Sequence, residues 1–167
     1  MVFIEGPEGS GKTPLADRIS RDFGYAKFDW CRVPIEVSGS DVWLGGFFAV
    51  ACLDGSGAKL VVERSLLSWS FYNSNFSFLE RWVELVKSWD SVAIVCLHTS
   101  DANLRKNLGK KNDLEGWESS FVKMDDYSEL YNMLPSDIVI HSSVIDYDTD
   151  WISGIIKQLM GSGVLEY

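Results

Sequence analysis

The sequence predicts an α/β fold: a parallel sheet of five strands covered by helices. Three observations predict it. Short apolar runs alternate with longer helical patterns throughout the 167 residues. One run, Val92-Ala93-Ile94-Val95-Cys96-Leu97, is apolar at every position, as a strand covered on both faces in mid-sheet must be. No repeat, low-complexity tract or Pro/Gly/Ser-rich linker interrupts the pattern, so a single domain is expected over residues 1–167.

Taken in order, strands are expected at Val2–Glu5, Tyr25–Asp29, Lys59–Glu63, Ser91–Leu97 and Asp137–His141. Residues 13–23 form the first helix. Asp41 can cap a second helix running to about Cys52, and Gly55-Ser56-Gly57 closes the turn after it. Residues 65–88 are aromatic-rich and helical, with a break near Asn73–Ser77. Residues 114–134 place Leu114, Trp117, Phe121, Met124, Leu130, Tyr131 and Leu134 on one stripe. A last helix begins near Thr149 and repeats Trp151-Ile152, Ile155-Ile156 and Leu159-Met160 at four-residue steps. These stripes read as core faces.

Composition narrows the function. Apolar residues make up 46% and charged residues 23%, the mix of a globular domain. Cys31, Cys52 and Cys96 are an odd number at wide spacing, which predicts reduced thiols and a cytoplasmic protein rather than a disulfide scaffold. No apolar run approaches a membrane span, and no signal peptide fits Val2-Phe3-Ile4 before Glu5. The net charge of −9 argues against a nucleic-acid partner, because phosphate neutralisation dominates that affinity. Against this background, Arg105, Lys106, Lys110 and Lys111 gather four positive charges in seven residues without an acid.

The chemistry is carried by Gly6-Pro7-Glu8-Gly9-Ser10-Gly11-Lys12-Thr13, which matches G-x-x-x-x-G-K-[ST] between a strand and a helix. From this composition, an accidental match anywhere in the chain has odds of about 1%. Gly6, Gly9, Ser10 and Gly11 let backbone N–H groups converge on the phosphates of ATP. The helix N-terminus adds partial positive charge. Lys12 reaches the β- and γ-phosphates, and Thr13 offers a hydroxyl to Mg²⁺. Pro14 removes one N–H donor, so triphosphate binding somewhat weaker than in a loop without it is expected.

A second constellation ends the third strand: Glu63-Arg64-Ser65-Leu66-Leu67-Ser68-Trp69-Ser70-Phe71-Tyr72. An acid at the carboxyl end of a parallel strand lies in the ligand crevice. Glu63 is a candidate for holding Mg²⁺ through water, and Arg64 for clamping a phosphate.

Together, the loop with an acid at its third position and Glu-Arg-Ser-x-x-Ser-x-x-x-Tyr resemble the thymidylate kinase and deoxynucleoside kinase superfamily. Glu63-Arg64-Ser65 is similar to the nucleoside kinases, and Ser68 with Tyr72 fits the thymidylate kinase pattern. The resemblance implies a three-layer P-loop NTPase fold with sheet order 2-3-1-4-5. It implies ATP-dependent, Mg²⁺-assisted transfer to a small nucleotide, led by a deoxynucleoside monophosphate.

Site residues follow from the same resemblance. Ser100-Asp101-Ala102-Asn103-Leu104-Arg105 opens a small lid at about 103–113, with Arg105, Lys106, Lys110 and Lys111 as its cations. Glu8 faces the acceptor sugar hydroxyl, Arg64 or Arg32 the acceptor phosphate, and Phe47 and Phe48 the base, with Tyr72 alongside. The arginine that reads the base in thymidylate kinases has no counterpart in Ala49–Asp54. In the nucleoside kinases an acid near Asp29 acts as base on the sugar 5′-hydroxyl, which makes a deoxynucleoside kinase the alternative. A kinase of modified bases in viral DNA and a non-catalytic nucleotide sensor are the others. A homodimer through the helix at 65–88 is compatible with the family. The short chain suggests a viral or otherwise trimmed enzyme, acting in the host cytoplasm if viral. His98 and His141 read as ordinary turn residues.

Overall fold

The computed structural model describes residues 1–29, 57–72, 76–89, 91–110, 124–143 and 150–166. The strands are β1 (Val2–Glu5), β2 (Ala26–Asp29), β3 (Leu60–Glu63), β4 (Ala93–His98) and β5 (Val139–Ser143). All neighbours run parallel in the order β2-β3-β1-β4-β5, the order that the family resemblance implies. β1 is the central strand. Its register pairs Phe3 with Val62 of β3 and with Ile94 of β4.

Central position explains the apolar runs. Val2, Phe3, Ile4, Ile94, Val95 and Leu97 are completely buried, because helices cover both sheet faces. Burying each such side chain is worth about 1.5–3 kcal/mol. Side chains alternate along β1. Val2 and Ile4 pack with Leu15, Ala16 and Ile19 of α1 (Lys12–Phe23) and with Ile155 and Leu159 of α6 (Trp151–Gly161). Phe3 faces the opposite layer with Leu66 and Leu67 of α2 (Leu66–Tyr72), Trp82 and Val86 of α3 (Leu79–Lys87), and Tyr127 and Tyr131 of α5 (Met124–Tyr131). The Phe3 ring meets Trp82 edge-on at 5.7 Å. Three layers result, and most of the core among the described residues falls into two apolar clusters, one on each face of the sheet.

Helix limits follow local chemistry. Gly24 stops α1 at φ 71° and donates its N–H to Ser20. Asp150 caps α6 by accepting from Ser153 N–H at 3.3 Å. Residues 76–78, between α2 and α3, are not helical, as the break expected near Asn73–Ser77 requires at that end; residues 73–75 lie outside the described residues. Helix α4 (Asp101–Lys110) starts at Ser100, whose Oγ accepts from Asn103 N–H at 3.2 Å. β5 begins two residues later than the hydropathy pattern suggests. Pro135 starts a turn that Ile138 N–H closes on its carbonyl at 3.4 Å, which delays the ladder. The expected helix after Asp41, and Leu114, Trp117 and Phe121, lie outside the described residues.

Among the described residues, no helix is long and apolar enough to cross a membrane. Cys96 is buried and unbridged, and burial pushes its thiol pKa far up.

Candidate active site

Parallel strands put all their carboxyl ends on one edge, and the sequence places its polar motifs there. β1 runs out at Glu5 and the chain enters the loop 6–11. Gly6 sits at φ 156°, Gly9 at φ 78° and Gly11 at φ 95°. A Cβ on Gly9 would lie 3.2 Å from the Leu104 carbonyl of α4, so the loop needs glycine there both for its backbone and for that approach. Ser10 N–H closes on Pro7 O at 3.2 Å, which curls the loop into the start of α1. Lys12 Nζ donates to the Gly6 and Pro7 carbonyls, each at 2.7 Å, so the ammonium is held inside the loop it serves. Pro14 occupies the first turn of α1, where an N–H has no intrahelical partner, so the helix itself loses no bond.

Thr13 and Glu63 meet. Thr13 Oγ1 donates to Glu63 Oε2 at 2.8 Å across the gap between α1 and β3. The other Glu63 oxygen takes Lys27 Nζ of β2 at 2.8 Å, and Lys27 also reaches Asp17 Oδ1 at 2.7 Å. Burial works against the Lys27 charge, but the bonds to Asp17 and Glu63 outweigh it and hold its pKa above the ordinary lysine value. A hydroxyl and a carboxylate beside a phosphate-type loop are hard oxygen donors, and they fit Mg²⁺.

Arg64 follows at once. Its φ of 72° is left-handed, unusual for a residue with a side chain. Its N–H bonds to Ile4 O at 2.9 Å, extending the β1–β3 ladder by one step. The twist sends a buried side chain back across the loop, where Nη2 donates to Glu8 Oε2 at 2.6 Å. Glu8 itself is about half exposed, so the pair opens to solvent.

Helix α4 lies directly over the loop. Asn107 Nδ2 donates to Gly9 O at 2.9 Å, and Leu104 and Leu108 are buried beneath it. Arg105 and Lys106 lie on its exposed side, and Lys110 is its last residue. Asp29 ends β2 in register with Glu63, and Tyr72 ends α2. Arg32, Phe47, Phe48 and Lys111 lie outside the described residues.

Several further polar groups stand at this edge without belonging to either sequence motif. Glu5 is completely buried beneath the loop and accepts the Ser68 hydroxyl. A charged residue ending an otherwise apolar strand was the available signal. Lys27 and Asn107 carried none, because each is an ordinary polar residue in its own element. His98 and His141 are not turn residues. His98 ends β4, His141 lies within β5, and His98 Nε2 is 2.9 Å from His141 Nδ1. Burial, then the neighbouring His141, lowers the His98 pKa.

No protein-family model matches the chain, nor does any curated protein. Solved structures do. The YorR protein from Bacillus subtilis, in complex with phosphorylated GDP, superposes with a TM-score of 0.67 at 20% identity, covering 99% of both chains. The deoxyadenosine kinase from M. mycoides with bound dCTP gives 0.58 at 17% identity over 96% of this chain and all of its own. Shikimate kinase from Acinetobacter baumannii, in complex with shikimate, gives 0.54 at 14% identity over 99% of this chain and 94% of its own. The chain therefore shares the fold of the P-loop kinases. Kinases of chemically different acceptors share it too, so the fold leaves the acceptor open.

Proposed function

We propose that this chain is an ATP-dependent kinase of a deoxynucleoside monophosphate. The observation that carries the reading is that the loop holding Lys12 is tied to the end of β3 by two polar pairs, Thr13 with Glu63 and Glu8 with Arg64. Phosphoryl transfer asks mainly for positioning and charge stabilisation, and these groups supply both.

In this reading the N–H groups of residues 9–13 receive the donor phosphates. Lys12 exchanges the Gly6 and Pro7 carbonyls for phosphate oxygens. Bound Mg²⁺, held by Thr13 and by Glu63 through water, would neutralise charge on the donor. An acceptor phosphate competes with Glu8 for the Arg64 guanidinium, and Glu8, once released, accepts the acceptor sugar hydroxyl. Arg105, Lys106, Lys110 and Lys111 close the far side as a lid and add positive charge as transfer proceeds. Arg32, Phe47, Phe48 and Tyr72 complete the acceptor site by resemblance to the family.

A deoxynucleoside kinase is the second reading, favoured by Asp29 standing in register with Glu63 at the same edge. A sugar hydroxyl needs a general base, whereas a monophosphate is already ionised.

The test is a coupled ATP-to-ADP assay against nucleosides, nucleoside monophosphates and single-stranded DNA carrying modified bases, with Lys12→Ala as control. Turnover of one or a few monophosphates, lost in the control, is the expected result. Turnover of nucleosides, lost in Asp29→Asn, moves the assignment to the second reading. Turnover of DNA alone identifies a macromolecular acceptor. ATP binding without turnover of any acceptor leaves a nucleotide sensor.

A further inference from the structure

Glu5 is completely buried under the loop, and the transfer described above makes no use of it. It is the last residue of β1 and directly precedes Gly6. The Ser68 hydroxyl of α2 donates to its Oε2, and the same hydroxyl lies 3.2 Å from the Tyr127 hydroxyl of α5. Ser65 and Ser68 are completely buried with it. Ser65 Oγ accepts Leu67 N–H at 3.1 Å and so shapes the first turn of α2. Between β3 and that turn stands Arg64, in its left-handed conformation. Its backbone is tied to Ile4 O, the residue before Glu5. The last two residues of β1 thus hold the chain at Arg64 itself and four residues after it, Ile4 by a ladder bond to the Arg64 N–H and Glu5 through Ser68.

A carboxyl is a poor choice for fastening a helix in a dry interior. Desolvation raises its free energy, and apolar side chains of similar volume would hold α2 at least as well. What an apolar pair would lack is direction. The Ser68–Glu5 bond fixes the rotation and height of the first turn of α2, and with them the exit of Arg64. The carboxyl also sits near two cations of the site, since Arg64 and Lys12 both favour its charged form against burial.

We propose that Glu5 is a positioning residue: through Ser68 it holds the left-handed turn at Arg64 so that the guanidinium stays at the mouth of the phosphate loop. This rests on the kinase reading only for its effect on rate, because the geometry itself is observable without turnover.

The experiment therefore has two arms. In the first, arginine side-chain ¹⁵N NMR follows the Arg64 guanidinium, identified by its loss in Arg64→Lys. The bond to Glu8 should give a resolved signal in the wild type and in Glu5→Gln, and a shifted or lost signal in Glu5→Ala and Ser68→Ala. In the second, kcat should fall about tenfold or more in Glu5→Ala. The KM for ATP should change little, and Glu5→Gln should recover most of the rate. A folded Glu5→Ala that keeps both the Arg64 signal and the wild-type rate overturns the proposal. Should Glu5→Ala fail to fold, Ser68→Ala decides by the same two readouts. A wild type that turns over no acceptor sinks the kinase reading, and the NMR arm then decides the positioning role by itself.

Discussion

At the scale of the residue, the strained Arg64 sets up a separable test. A side chain at φ 72° costs about 1–2 kcal/mol relative to glycine. Arg64→Ala and Arg64→Gly both remove the guanidinium, its packing and the bond to Glu8. They differ in the Cβ, and so in tolerance of the left-handed backbone, which favours glycine, and in unfolded-chain entropy, which offsets part of that gain. Arg64→Gly should therefore be more stable than Arg64→Ala by about 1 kcal/mol in urea unfolding, with both inactive. Equal stabilities would mean that the turn relaxes once the side chain is gone. Glu5 makes a different prediction, in pH. Burial raises its carboxyl pKa above the unfolded value of 4.5, against the opposing bonds and charges of Ser65, Ser68, Arg64 and Lys12. The native state then holds the proton over a range in which the unfolded chain has lost it. The contribution of Glu5 is complete below about pH 4.5 and is lost as pH rises through the folded value. Glu5→Gln cannot titrate. Its stability relative to wild type should rise with pH above 4.5, as read from urea midpoints between pH 5 and 8. A constant difference would mean that the folded pKa is not raised.

At the scale of the element, the loop and the helix above it act as one unit. The Gly9 carbonyl takes the Asn107 side chain, and the space over its Cα is closed by Leu104 O. Gly24 has a similar φ of 71°, but a Cβ added there would meet nothing within 4 Å, so it reports backbone strain alone. Gly24→Ala should cost about 1 kcal/mol. Gly9→Ala should cost more, because α4 must also shift, and it should weaken ATP binding where Gly24→Ala does not. Calorimetric titration with MgATP separates the two. The contrast also shows what could be read in advance. Gly9 belongs to a motif whose spacing carries its own chemistry, and the strands reveal themselves because β1 and β4 must be apolar on both faces. Nothing in residues 101–110 announces that Asn107 will meet Gly9. That contact joins positions 98 residues apart and depends on how α4 packs, which hydropathy does not encode. The His98–His141 pair was illegible for the same reason. Its partners come from adjacent strands, and their meeting follows from the register of β4 with β5.

At the scale of the molecule, the sheet order brings the ends of β1, β2 and β3 side by side, and that adjacency turns scattered residues into a site. Thr13 and Glu63 stand 50 positions apart in sequence, and Glu8 and Arg64 stand 56 apart. Sequence order alone makes neither pair, although a family resemblance can suggest both. A ligand that binds across such contacts must stabilise the whole domain, because it binds the folded state and finds no site in the unfolded chain. At 100 times its dissociation constant, MgATP should add about 2.7 kcal/mol. For a domain of this size, that corresponds to a rise of about 5–10 °C in Tm. Lys12→Ala removes the central cation of the loop and with it the bonds to the Gly6 and Pro7 carbonyls, so its baseline Tm will differ from that of the wild type. The diagnostic quantity is the nucleotide-induced increment, which should collapse in Lys12→Ala and persist in Glu8→Gln if Glu8 serves the acceptor as proposed. An increment that survives in Lys12→Ala would show that the triphosphate binds elsewhere, and the loop would then lose its assigned role. An increment lost in both variants would mean that the Glu8–Arg64 pair shapes the donor site rather than the acceptor site.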